Sequence, residues 1–357
     1  MTRLAITGAT GNIGTAVLEA LRDEPAVQEI VAIARRPATF SDPRARFVRA
    51  DVARDDLVAA LRGTDAVIHL AWLIQPARDE RTTRAVNVDG TRRVLDAAAR
   101  AGVRTVVHAS SVGAYSPGPK DRRVGEDWPT EGIASLFYAR HKVQAERLLD
   151  AFELEHPEVR SVRLRPGLIF QRRAATEIRR LFAGPFLPRA LLRPQLAKVV
   201  PDIARLRFQA VHALDVGDAY RRAVLDDTAR GAYNIAADPV LDAEELARLA
   251  GGARRIGLPA RAVRTICDLT YRARLHPVPP GWFDLGLAVP LMDTARAREQ
   301  LGWTPRHSAT DALVELLAGL RDGAGHDTPP LDPGTSGRLR VRELQGLVGT
   351  RDADPRL

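Results

Sequence analysis

An α/β fold, with a doubly wound parallel sheet and a smaller mixed C-terminal lobe, follows from three features of the sequence. Short apolar runs alternate with amphipathic, helix-length segments over the first half of the chain. The first run passes directly into a glycine-rich turn, TGATGNIG at residues 7–14. After Arg165 the alternation stops. Strands separated by helices must be joined by crossovers, and such a sheet is parallel with helices on both faces.

Taken in order, residues 3–7 read as a strand, 13–22 as a helix and 30–34 as a strand. Residues 46–49 form a further strand, 54–62 a helix and 66–70 a buried strand. A long helix spans 85–101, a strand 105–109, a helix 138–152 and a strand 159–164. Beyond these, 171–203 is rich in Arg, Leu and Pro without strand period. An isolated strand is expected at 232–236, a helix at 243–251 and a Pro-rich turn, PVPPGWFDLG, at 277–286. The chain thus divides into 1–165, a lobe over 166–321 with some strands returning to the main sheet, and a Gly/Pro/Asp-rich tail over 322–357 expected to be partly mobile.

Composition narrows the class. With 357 residues, 45% hydrophobic and 27% charged, the chain can bury a sizeable core. The single cysteine, Cys267, excludes an intramolecular disulfide, suits a reducing compartment and reads as a small buried hydrophobe. MTRLAITGAT has no basic region leading into a long apolar run, and no stretch approaches the roughly 20 apolar residues of a span. A cytoplasmic protein without a membrane partner is the expectation. The formal charge of +9 comes from arginine spread along the whole chain. Lysine blocks, stacked aromatics and zinc-ligand spacings are missing, so neither nucleic acid nor metal is expected.

The turn at 7–14 supplies the first chemistry. Gly8 makes the turn tight, Gly11 lets a pyrophosphate approach the helix N-terminus, and Gly14 lets that helix pack on the strand. This is a Rossmann-like dinucleotide turn, with Thr10, Asn12 and Ile13 beside the phosphates. The second strand ends in Arg35-Arg36, where a cofactor with a free 2′-hydroxyl calls for a carboxylate. A guanidinium there pairs with a 2′-phosphate, so NADP is expected, with NAD as the alternative. Asp51-Val52, after the third strand, is placed to hold the adenine, and Asp51 equally to cap the following helix; the two roles can coexist.

A second signal is YARHK at 138–142. Of 53 basic residues only Lys120, Lys142 and Lys198 are lysines, yet one stands four residues after a tyrosine. An accidental Tyr-x-x-x-Lys arises in about one such chain in 25. The spacing puts Tyr138 and Lys142 on one helix face, where an ammonium can stabilise a tyrosinate.

With TGATGNIG, YARHK and the strand-end HASS placed, the chain resembles the extended short-chain dehydrogenase/reductase family, the NAD(P)-dependent epimerase/dehydratase group. The likeness runs from Met1 to about Pro305 and includes NVDGT at 87–91, RPG at 165–167, VHALDV at 211–216, YNIA at 233–236 and DTARAREQLGWTP at 293–305. It implies a catalytic Ser111, Tyr138 and Lys142. Ser111 would orient the substrate oxygen, Tyr138 would act as general acid/base, and Lys142 would lower the Tyr138 phenol from its usual value near ~10 and hold the nicotinamide ribose. It further implies cofactor contacts at Leu70, Ala71, Asn87, Ala109, Pro166, Gly167 and Leu168. A homodimer through the helices containing Tyr138 and residues 85–101 is implied as well. His212 is expected to be structural, Asp215 to cap a helix, and His108 to be a satisfied core residue.

The substrate is less legible. Nucleotide-sugar epimerases of the group usually carry Asn three residues after the arginine of RPG; here that residue is Leu168. The RP-x-x-I pattern resembles the branch acting on apolar ketones and alcohols. Against this, residues 160–193 hold nine arginines and one acid, Glu177. They either bind an anionic group, with Arg207 assisting, or pack on acidic neighbours. Trp282, Phe283 and the apolar content of 181–201 suit a mostly apolar pocket. Three readings stand: a dehydrogenase or reductase with net cofactor turnover at a secondary alcohol or ketone, a nucleotide-sugar epimerase or dehydratase that recycles its cofactor, and a non-catalytic cofactor sensor.

Overall fold

The computed structural model describes residues 2–75, 77–183 and 197–336. Seven parallel strands form the central sheet. The first five in chain order are β1 (Thr2–Thr7), β2 (Val27–Ala34), β3 (Ala45–Arg49), β4 (Ala66–His69) and β5 (Thr105–Ala109). Across the sheet the order is Gly231–Ile235, Arg160–Pro166, β5, β4, β1, β2, β3. The chain starts in the middle, runs to one edge, and returns to build the other side. Between β1 and β4 the direction of winding reverses, and there the carboxyl ends of the strands open a crevice.

The core explains why the central strands are continuous apolar runs. Leu4, Ala5, Ile6, Val67 and Ile68 are fully buried because both faces of the sheet are covered. On one face the helices Asn12–Leu21 (α1) and Ala213–Leu225 pack with Tyr220 and Trp303; on the other, Gly90–Ala101 covers Val31, Val67 and Val106.

Several expectations change. The strand expected to be isolated is Gly231–Ile235, the sheet edge paired with Arg160–Pro166, with Tyr233 opposite Leu164. Its partner lies far away in sequence, which hides the pairing. The helix expected over 54–62 shrinks to Val58–Leu61. Asp51 is the reason: its carboxylate accepts from the Ala53 N–H and its carbonyl takes Arg54 and Asp55, forming a turn instead of a helix cap. The long helix over 85–101 is broken into a π turn, Ala85–Asp89, and an α-helix, Gly90–Ala101.

The second lobe is built on a three-stranded mixed sheet of Leu168–Phe170, Phe208–His212 and Ala237–Leu241. Its following helix, Ala213–Leu225, is capped by His212, whose Nδ1 accepts from the Leu214 N–H. Asp215 is therefore not the cap. It is buried one turn in and accepts from the His307 backbone N–H. Part of the expected tail is also built into the fold: Leu331 is fully buried, and Thr328 donates to the Thr10 carbonyl at 2.8 Å. Residues 337–357 lie outside the described residues.

A buried charge network joins the helix Phe137–Glu155 to the sheet. Glu146, 1% exposed, accepts from Arg163 at 3.0 Å and from Arg165 at 2.9 Å, and from the Ser110 hydroxyl. Burial works to raise its pKa, but the hydrogen bonds and charge of Arg165, with Arg163 and Ser110, outweigh burial and hold it at about 2. Glu146→Gln leaves two buried guanidiniums without their shared anion and is expected to cost about 3–5 kcal/mol in a denaturant titration. Because the folded pKa is depressed, the contribution of Glu146 is complete above the ordinary carboxylate range near ~4.3. It fades as pH falls toward 2, a loss the variant will not show.

Candidate active site

The glycine turn is shaped by contact. Gly8 has φ +72°, and a Cβ there would stand 2.8 Å from the Ala71 nitrogen. A Cβ on Gly14 would fall far inside van der Waals contact of the Gly8 carbonyl. The result is an α1 N-terminus that begins at Gly11 with no side-chain cap and no acid in its first turn. That is an anion site by construction: open N–H groups, a favourable dipole, and nothing carboxylic to repel a pyrophosphate.

α1 opens into a cavity of about 790 Å³. Gly8, Thr10, Gly11, Asn12, Ile13, Gly14, Arg35, Asp51, Val52, Leu70, Ala71, Ala109, Pro166, Gly167 and Leu168 all line it, as do Ser111, Tyr138 and Lys142. Asn87 does not. It is fully buried behind the wall, where its Oδ1 accepts from the Leu73 N–H at 2.7 Å and its Nδ2 donates to the Leu73 carbonyl at 2.8 Å. Asn87 is a brace for the segment after β4, not a lining residue. A nicotinamide dinucleotide fits what is present: an uncapped helix N-terminus suited to phosphates opens into the cavity that Asp51, Val52 and Lys142 also line.

Ser111 lies two residues past the end of β5 and caps a short 3₁₀ turn, Val112–Ala114, accepting from the Gly113 N–H at 3.0 Å. Tyr138 and Lys142 follow on one face of Phe137–Glu155. Burial pushes the Tyr138 phenol up to about 12, and a hydrogen bond with Ser111 pulls it back only partly. The expected pairing with Lys142 is not made. The Lys142 ammonium donates to the Ala109 carbonyl at 2.7 Å and lies 3.3 Å from the Trp72 ring centre, against 5.6 Å from that of Tyr138. Burial holds its pKa well below the usual range, with Glu146 opposing. Trp72 thus takes the cation face that the spacing alone assigned to Tyr138.

Trp72 was not singled out in the sequence, although it directly follows Leu70-Ala71 at the end of a central strand. It is one wall of an aromatic cage. Tyr138 lies 6.0 Å from Trp72 and 4.9 Å from Trp282 between ring centres, and Phe182 is 5.0 Å from Trp282. Behind Trp72 sits His108, buried but with neither ring nitrogen hydrogen-bonded among the described residues. It is not the satisfied residue expected. Burial, with the charges of Lys142 and Arg163, keeps it neutral, and it packs as an aromatic ring against His69 at 5.3 Å.

Most of the arginine-rich stretch is structural. Arg160 donates to the carbonyls of Ala223, Val224 and Ala229; Arg163 and Arg165 hold Glu146; Arg172 and Arg173 pair with Asp322 and Glu19. Arg207 pairs with Asp242. Arg180 alone of the described members lines the cavity, near Glu177, and donates to the Pro330 carbonyl. Arg189 and Arg193 lie outside the described residues.

The family model that matches residues 4–236 describes the NAD dependent epimerase/dehydratase family. The chain belongs to that family. A UDP-glucose 4-epimerase of Mycolicibacterium smegmatis is 27% identical over 331 residues, which cover 90% of this chain and 99% of that protein. An uncharacterized protein of Mycobacterium tuberculosis is also 27% identical, over 90% of this chain, which spans only 30% of that protein's length. Among solved structures, MoeE5 in complex with UDP-glucose and NAD has a TM-score of 0.63 at 24% identity, covering 90% of this chain and 99% of its own. The UDP-glucose-4-epimerase from Stenotrophomonas maltophila, with bound NAD and formylated UDP-arabinopyranose, has a TM-score of 0.67 at 21% identity, covering 90% and 98%. Those two likenesses establish the fold.

The Tyr138 environment gives a direct spectroscopic expectation. The difference spectrum of the free protein minus Tyr138→Phe will show no tyrosinate band through pH 10, since the phenol is held near 12. A band emerging near the ordinary value of about 10 would mean that Lys142, and not burial, governs the phenol.

Proposed function

We propose that this protein is an NADP-dependent oxidoreductase that acts at a secondary alcohol or ketone carbon of a mostly apolar small molecule. The distribution of charge along the cavity carries the reading. Among the described lining residues, the cations Arg35, Arg36 and Arg180 lie toward the end of β2, two of them acting on Glu177. Around Tyr138 the walls are Trp72, Phe182, Trp282, Leu285 and Val289, and the one cation among the described residues there is Lys142. A nucleotide diphosphate needs donors where this cavity offers indole and alkyl surface. Residues 1–165 would hold the dinucleotide and 166–321 the substrate, in a cytoplasmic homodimer.

When bound, the dinucleotide supplies or accepts the hydride. The chain's own residues do the rest. Ser111 holds the substrate oxygen, and Tyr138 gives that oxygen a proton in reduction or takes it in oxidation. A phenol raised by burial is a ready donor at neutral pH and a poor base, so the free protein is set for reduction. Lys142, fixed by Ala109 and Trp72, positions the reacting end of the cofactor. The second reading, nucleotide-sugar epimerisation with recycled NAD, is supported by the likeness to the mycobacterial UDP-glucose 4-epimerase. Net change at the reduced-nicotinamide absorbance band separates the two, since only the oxidoreductase changes it stoichiometrically with product.

Tyr138→Phe is expected to lower turnover by about 10²–10⁴ while leaving dinucleotide affinity within a factor of about two. An indifferent variant would favour the cofactor sensor. Paired fluorescence titrations should show NADPH bound more tightly than NADH, with the preference lost in Arg35→Asp; tight NADH binding would sink the cofactor reading. Glu177 adds a pH dependence. Burial raises its carboxyl to about 7, with Arg180 and Arg36 opposing, so it is largely neutral below that value and charged above. NADPH affinity relative to NADH should therefore weaken as pH rises through about 7, and this component should vanish in Glu177→Gln.

A further inference from the structure

Nine large hydrophobic residues are exposed in the described structure, and six of them belong to residues 199–275: Val199, Ile256, Leu258, Ile266, Leu269 and Leu275. Three lie on or just after the helix Ala260–Arg272, which buries none of its residues. Ile266 is 60% exposed, Leu269 59% and Leu275 50%. Ala262, Ile266 and Leu269 recur at steps of four and three, so they form one stripe along the helix. Leaving isoleucine and leucine side chains in water forgoes the gain of burying them, so a stripe of them along one helix face marks a surface that something else covers.

The helix and its end are basic: Arg261, Arg264, Arg272 and Arg274 stand against one acid, Asp268, and the preceding strand adds Arg254 and Arg255. Arg264 pairs with Asp284, Arg272 with Asp268, and Arg255 lies 3.9 Å from Asp202 and 3.7 Å from Glu244. Arg254, Arg261 and Arg274 make no ion pair among the described residues. A second copy docked on this face by two-fold symmetry would bring these arginines together, which disfavours self-association. A planar anionic surface matches them, because arginine stems can lie along the apolar boundary while their heads reach phosphates.

We propose that the helix Ala260–Arg272 lies on anionic lipid, with Ile266 and Leu269 in the acyl boundary and the flanking arginines on the headgroups. This departs from the sequence expectation of no membrane partner. Docking is peripheral, since no helix among the described residues is long and apolar enough to cross a bilayer. The helix is tied to the catalytic cavity: Arg264 holds Asp284 on the helix Gly281–Ala288, which lines the cavity with Trp282, Phe283 and Leu285. An apolar substrate dissolved in lipid would then be one helix away from the aromatic cage.

The test is flotation of the whole protein with vesicles of phosphatidylcholine, with and without phosphatidylglycerol. The protein should float only with the anionic vesicles, and less so as salt rises. Ile266→Asp with Leu269→Asp should cut the bound fraction by about ten-fold or more, since two charges replace the inserting side chains. Arg261→Glu and Arg274→Glu should each lower partitioning by about five-fold or more. All four positions are remote from the cavity, and unchanged dinucleotide titrations will show that the variants fold. An environment-sensitive fluorophore on Cys267, the single cysteine, should shift to the blue on adding anionic vesicles. Failure to float with anionic vesicles, or flotation that survives the Ile266/Leu269 double variant, overturns the proposal. So does conversion of a dimer to a monomer by that variant, which would assign the face to a second copy.

Discussion

Glu146 sits between two arginines at 1% exposure, and the geometry of the active site follows from where that carboxylate is fixed. Tyr138, Lys142 and Glu146 are successive positions four apart on one helix, so holding the third sets the height and rotation of the first two. Arg163 and Arg165 come from the strand Arg160–Pro166, and the Ser110 hydroxyl, which also binds Glu146, comes from the end of β5 one residue before Ser111. One buried anion therefore registers the serine and the Tyr-Lys helix against each other. The network goes further: Arg165 donates to the Tyr115 hydroxyl, Tyr115 donates to Asn234, and Asn234 donates to the Asp293 carbonyl. Through these links the second lobe is aligned with the catalytic helix. Desolvating such charges costs several kcal/mol per ion, so the gain is positional more than energetic.

That registration leaves Lys142 in an unusual place. Its donor contact is the Ala109 carbonyl and its nearest ring is Trp72, with the Tyr138 ring centre farther off at 5.6 Å, so its charge is held near the strand end. In a low-dielectric cage of Trp72, Trp282 and Phe182 neither group ionises readily: the phenol keeps its proton and the ammonium is inclined to lose one.

The parts of this site that are short in sequence were legible, and those assembled over distance were not. TGATGNIG and YARHK each encode their geometry within one turn of chain, so Gly8, Gly11, Tyr138 and Lys142 could be placed by spacing alone. Thr105–Ala109 could be bounded to the residue because a fully buried parallel strand is a continuous apolar run. Arginine defeated the same approach. In a chain with so many, Arg160 looks identical to Arg180, yet one ties off three helix-end and loop carbonyls while the other lines the cavity. Trp72 reads as any strand-end aromatic until Lys142, 70 residues on, is folded over it. Asn87 shows the reverse error: its position near the cofactor was legible, but its side chain turns back to brace Leu73.

Composition also misleads over residues 324–332, which read as a Gly/Pro/Asp tail yet pack into the fold and reach the cavity through Pro330. One apolar anchor, Leu331, is enough because the rest of the segment is held by hydrogen bonds from the body of the protein. Thr176 donates to the Ala324 carbonyl at 2.7 Å, Arg180 donates to Pro330, and Thr328 reaches the Thr10 carbonyl in the glycine turn. The glycine turn near the start of the chain is thus braced by a segment more than 300 residues later, on the same side as Arg180 and Glu177. This brace is polar, whereas the opposite end is closed by Trp282, Leu285 and Val289. The contrast between a charged and an apolar end is therefore a consequence of which segments close the cavity: a polar, turn-rich stretch at one end and the largely apolar helix Gly281–Ala288 at the other.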